Sequence, residues 1–165
     1  MIAAMERRHA FWVIAVSFIV AACLAVVPLP DWLTILRPEW MALVLIYWVM
    51  ALPHRIGLGL AWICGFFLDV LEGNLMGLNG LVLTLIAYMS MSLYQRLRMF
   101  TLLQQSSTVF ILVGIHQLLS FWILTVTDRG PSPNFLYMLS ALTSAVVWPF
   151  IFVTLRYFRR SFQVN

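Results

Sequence analysis

Apolar residues run almost unbroken along this chain, and the few polar positions fall in clusters that cut it into segments. The first apolar run covers about 10–29 and stops at Pro28-Leu29-Pro30. Residues 31–37 form a connection with charged ends. A second run covers about 38–52, where Pro38 suits the first turn of a helix because its missing N–H costs nothing there. It is short, so it is expected to begin a little earlier or to lie partly in the interface. Pro53-His54-Arg55 turns the chain into a third run, about 56–72, closed by Glu72-Gly73-Asn74. The fourth is about 75–95 and ends at Gln95-Arg96-Leu97-Arg98. The fifth is about 102–127. Asp128 to Pro133 is the clearest loop, and the sixth run is about 135–155. A helix needs ~20 mainly apolar residues to cross a bilayer. The pattern predicts an all-α membrane protein of six transmembrane helices, a single domain over 1–165.

Composition agrees. Hydrophobic residues make up 63% and charged residues 10%, against about 45–50% and about 25% in soluble domains. A water-soluble fold of this length could not hide so much apolar surface. The net charge of +4 does not signal nucleic acid. All ten basic residues are arginines at segment ends, with no basic face. They sort by side instead. If the N-terminus is cytoplasmic, eight lie inside (Arg7, Arg8, Arg55, Arg96, Arg98, Arg156, Arg159 and Arg160) and two outside (Arg37 and Arg129). This bias orients membrane helices and places both termini in the cytoplasm, with an even number of spans. Trp12, Trp32 and Trp40 fall near the expected interfaces. The N-terminal run passes through Cys23 into further spans, so a cleaved signal is not expected.

Chemistry is sparse. Cys23 and Cys64 sit in apolar runs without a CxxC or a nearby histidine cluster, and read as buried thiols. No P-loop, HExxH or dinucleotide fingerprint occurs. His116 and Ser120 stand one turn apart but lack the setting of an activated nucleophile. No enzyme, cofactor or metal site is expected. The third run is more informative. Gly57, Ala61, Gly65, Asp69 and Gly73 are four apart, which puts them on one ridge where another helix can approach closely. Asp69 must avoid lipid. It either pairs with a donor on a neighbouring helix or a partner protein, or stays solvated near the interface. Gly80, Thr84, Tyr88 and Ser92 repeat the spacing in the fourth run, and Pro149 is expected to kink the sixth.

Several motifs carry a resemblance: Arg37-Pro38-Glu39-Trp40, Tyr47-Trp48, Ala51 to Arg55, Gly65 to Gly73 (GFFLDVLEG), Leu75-Met76-Gly77 and Val147-Trp148-Pro149-Phe150. In order and spacing they resemble the MreD family of bacterial rod shape-determining membrane proteins. The resemblance implies a non-enzymatic subunit of the lateral wall-elongation complex in the cytoplasmic membrane. It implies partnership with the single-span periplasmic protein MreC, and with MreB, RodA and a class B penicillin-binding protein. It also implies a fold similar to the six-helix substrate-binding subunits of energy-coupling vitamin transporters. The candidate contact residues are Arg37, Pro38, Trp40, Arg55, Gly57, Ala61, Gly65, Asp69, Gly73 and Gly77. The alternative is a solute-binding transporter subunit. It would use Asn79, His116 and Gln117 for ligand and the Ala21/Ala25 pair for a coupling subunit.

Overall fold

The computed structural model describes residues 2–54, 56–127 and 137–161, with the backbone alone at 2–11, 31–32 and 137. The described residues are helical with no strand. The helices are α1 (Ile2–Val26), α2 (Asp31–Thr34), α3 (Trp40–Ala51), α4 (Leu58–Glu72), α5 (Leu78–Met99), α6 (Leu102–Val126) and α7 (Tyr137–Ser161).

Several boundaries differ from the hydropathy reading. α1 begins at Ile2 rather than near 10, taking Glu6-Arg7-Arg8 into the helix, and ends at Val26. α5 keeps Arg96 and Arg98 in its last turn, where cations suit the partial negative charge of a helix C-terminus. Hydropathy marks where a chain is apolar, and a helix extends past that into its polar ends. Pro38 lies before α3 rather than in its first turn, which starts after Glu39. The four-residue α2 occupies part of the expected connection. α7 runs as one helix through Pro149. Arg55, Arg129 and the loop from Asp128 to Pro133 lie outside the described residues.

Five helices form a ring, in the order α1, α4, α5, α6, α7 and back to α1, around the short α3. The reason lies in the sequence of α3, Trp-Met-Ala-Leu-Val-Leu-Ile-Tyr-Trp-Val-Met-Ala. It has no polar face, and a helix apolar all round belongs in the interior. Every residue from Met41 to Ala51 is buried. The Trp48 indole donates to the Ser17 hydroxyl at 2.8 Å, tying the centre to α1. Ala21 and Ala25 are also buried in this core, so the pair is not free to meet a coupling subunit.

The outer surface is apolar as well. Trp12, Val16 and Ile19 on α1, Trp62, Ile63 and Phe67 on α4, Ile111 and Trp122 on α6, and Val146 and Phe150 on α7 are all exposed. Soluble monomers rarely expose large continuous apolar surface. α6 and α7 are each long and apolar enough to cross a membrane.

The closest helix approach is between α4 and α5. A Cβ at Gly65 would lie 2.5 Å from the Asn79 carbonyl oxygen and 2.6 Å from the Gly80 Cα. Gly80 faces back on the Trp62 carbonyl. Gly114, in α6, has nothing within 4 Å of the same position. The two glycines therefore predict opposite results. Gly65→Ala forces the helices apart and costs about 1–3 kcal/mol. Gly114→Ala fills open space and gains about 0.5–1 kcal/mol of helix propensity. Thermal unfolding of the detergent-purified protein should fall for the first and hold or rise for the second. Equal midpoints would refute the tight α4–α5 crossing.

Candidate functional site

The α4–α5 junction is built around one carboxylate. Helix α5 starts with backbone N–H groups that have no partner in their own helix. Asn79 and Gly80 are buried, so water does not supply one to them. Asp69, on the last full turn of α4, fills the need. Its Oδ2 accepts from the Gly77 N–H at 2.9 Å and the Gly80 N–H at 3.4 Å, and its Oδ1 accepts from the Asn79 N–H at 3.0 Å. The partial positive charge of the helix start favours an anion there. Asp69 is 1% exposed. Of the alternatives the sequence left open, the structure selects a neighbouring helix of the same chain. The acid is neither solvated nor turned out toward another protein.

The same residue also shapes the loop. Its backbone carbonyl accepts from Gly73 and from Asn74, the latter at 3.1 Å. Gly73 and Gly77 both have positive φ, 66° and 91°, a region where a side chain is strained. So the spacing-four ridge divides by role. Ala61, Gly65 and Asp69 are buried in the seam. Gly57 and Gly73 are exposed, cap the two ends of α4, and have nothing within 4 Å of a Cβ. They do not extend the helix-packing seam. Gly77 caps α5. In the fourth run Gly80 is buried and Thr84 half-buried, while Tyr88 and Ser92 are exposed.

A wider polar cluster sits at the same end of the bundle and joins five elements. The Arg37 carbonyl accepts from the Ser140 hydroxyl at 2.6 Å, and the Glu39 N–H donates to Ser144 Oγ at 3.0 Å. Gln117 Nε2 donates to Glu39 Oε1 at 2.7 Å and to Ser140 Oγ at 3.1 Å. Glu72 Oε2 accepts from Asn74 at 2.8 Å and from Asn79 at 3.3 Å. The Arg37 guanidinium stands 3.9 Å from Glu72 Oε1, and its buried Nη2 makes no hydrogen bond. Pro38 and Trp40 flank this segment and are half-buried. The segment is pinned to α7 by its backbone and to α6 through the Glu39 carboxylate.

The opposite end has its own fastening. Gln105 Nε2 donates to the Leu97 and Phe100 carbonyls at 3.0 and 3.3 Å, and its Oε1 accepts from the Trp148 indole at 3.4 Å. Arg156 lies over the Phe152 ring, and Arg159 reaches the Tyr47 hydroxyl. The sequence analysis missed Ser140, Ser144 and Gln105; the serine pair carried one available signal, its spacing of four. No group of three or more His, Cys, Asp or Glu side chains suited to a metal occurs among the described residues.

Removing the Asp69 carboxylate leaves three backbone donors short of an acceptor. Asp69→Ala should destabilise the protein by about 3 kcal/mol, and Asp69→Asn, which keeps one acceptor oxygen, by less. Denaturant titration in detergent measures both. An Ala variant as stable as the parent would sink the capping role.

The GFFLDVLEG–LMG segment thus encodes one construction: close approach, cap and two left-handed turns. That construction lies within a match to known proteins. Residues 6–158 match the family model described as rod shape-determining protein MreD. The rod shape-determining protein MreD of Haemophilus influenzae is 31% identical over 148 residues, covering 90% of this chain and 91% of that protein. No solved structure matches. With the family model spanning nearly the whole chain, and this relative matching over nearly its full length, the chain belongs to the MreD family of rod shape-determining membrane proteins.

Proposed function

We propose that the chain is a non-enzymatic subunit of the machinery that extends the lateral wall of rod-shaped bacteria, and that it scaffolds or regulates peptidoglycan synthesis through MreC. The family match over residues 6–158 carries this reading. In it, the six longer helices each cross the cytoplasmic membrane and both termini are cytoplasmic. The arginine bias of eight against two supports that orientation. The ring of exposed apolar side chains supports a bundle surrounded by lipid. The Arg37 end then faces the periplasm, where MreC has its bulk. MreB, RodA and a class B penicillin-binding protein join through the larger complex.

The partner surface follows from what the fold leaves free. Asp69, Gly65 and Ala61 are engaged inside the chain, so they act on a partner only by holding the junction in place. The half-buried Arg37–Trp40 segment and the exposed Gly73–Asn74 turn remain as contact candidates at the periplasmic end. Arg55 remains one at the cytoplasmic end. Of the three residues a solute site would use, Asn79 and Gln117 already donate to Glu72 and Glu39, while His116 Nδ1 is buried without a partner.

Co-expression with MreC of the same host tests the proposal. The two proteins should co-purify in mild detergent as a stable complex. Failure to form any complex, with both proteins folded, contradicts the scaffold reading. Reporter fusions test the orientation separately: both termini should report the cytoplasm, and a periplasmic C-terminus would rule out six spans.

A further inference from the structure

The outer helices do not have equal lengths. α6 and α7 have 25 residues each and are long and apolar enough to cross a membrane. At ~1.5 Å per residue they are about 37 Å long, against a hydrocarbon core of about 30 Å. α1 and α5 have 25 and 22 residues, but these include the charged ends Glu6 to Arg8 and Arg96 to Arg98. α4 has 15 residues, or about 22 Å. The 12-residue α3 is shorter still, but it is buried on all sides and never meets lipid.

α4 does face outward. In the ring it rests on α5 and, less extensively, on α1. Its other side exposes Trp62, Ile63, Phe67, Val70 and Leu71. Both of its ends are marked by a change of backbone conformation. At the start, Gly57 is extended and His54 is exposed. At the finish, Gly73 turns left-handed and Glu72 bonds to Asn74 and Asn79. Tilting cannot relieve a helix that is too short, because it reduces the height further. A short span is met by thinning the bilayer or by a protein neighbour.

The side chains favour lipid. Helices in membranes pack closely through small residues, and α4 has turned Ala61 and Gly65 inward against its own chain. Apart from Gly59 in the first turn, bulky rings and branched chains remain outside, with Trp62 stacked on Phe66 at 5.5 Å.

We propose that the α4 face is a lipid seat selective for short acyl chains, where the bilayer thins locally to meet a short helix on one side of the molecule. This rests on the reading that the bundle crosses a bilayer. The asymmetry places the protein preferentially in thin membrane and directs the thin patch to one flank.

Tryptophan quenching by brominated phosphatidylcholine tests it in vesicles holding the full chain. Trp62 on α4 and Trp122 on α6 are 49% and 70% exposed. Subtracting the emission of Trp62→Phe or Trp122→Phe isolates each component. In lipid mixtures, the Trp62 component should prefer brominated chains of about 14 carbons over chains of about 20 carbons by roughly threefold. The Trp122 component should show no such preference. The same ranking of chain lengths at both positions overturns the proposal. Quenching at Trp122 but none at Trp62 also overturns it, because a second copy of the chain then covers the face. If neither is quenched, the bilayer-crossing reading itself fails.

Discussion

A helix that starts in a packed interior must find hydrogen-bond acceptors there, because its first N–H groups have none in their own helix. At the start of α5 that acceptor is the Asp69 carboxylate, supplied from α4 to three N–H groups. Much else depends on this arrangement. The carboxylate can reach the donors only because Gly65, one turn earlier, lets the two backbones nearly touch. The loop can close over so short a distance only because Gly73 and Gly77 adopt positive φ. Glu72 is then placed to bind Asn74 and Asn79 and to stand beside Arg37. The burial cost of one charge is offset by several otherwise unsatisfied groups, and the position of a five-element cluster follows.

The centre of the bundle works by an opposite logic. α3 contributes almost no polar chemistry and is held by apolar burial all round. Its two ends meet the polar fastenings. Glu39 joins Gln117 and Ser144 at one end, and Tyr47 meets Arg159 toward the other. The short core is thus fastened by polar ties toward both of its ends.

Much of this was legible in the sequence, but unevenly. The apolar runs located every long helix, and the spacing-four ridge pointed to Gly65 and Asp69. Three things stayed hidden, each for a physical reason. Hydropathy cannot separate a helix wrapped in lipid from one wrapped in helices, so α3 did not stand out as the centre. The partners of Asp69 are backbone N–H groups, which every residue but proline has and no sequence letter records. Finally, Ser140, Ser144 and Gln105 are ordinary polar residues whose importance comes from what faces them across the bundle. Spacing also over-extended the seam, because Gly57 and Gly73 fit its register yet act as helix ends.

The family assignment makes cell shape the setting for this architecture. The most direct measurement is depletion of the protein in its own rod-shaped host, followed by microscopy as the envelope continues to grow. Cells lacking the protein are expected to widen and round up while growth persists. Cells that remain rods of unchanged width after the protein is gone would contradict it.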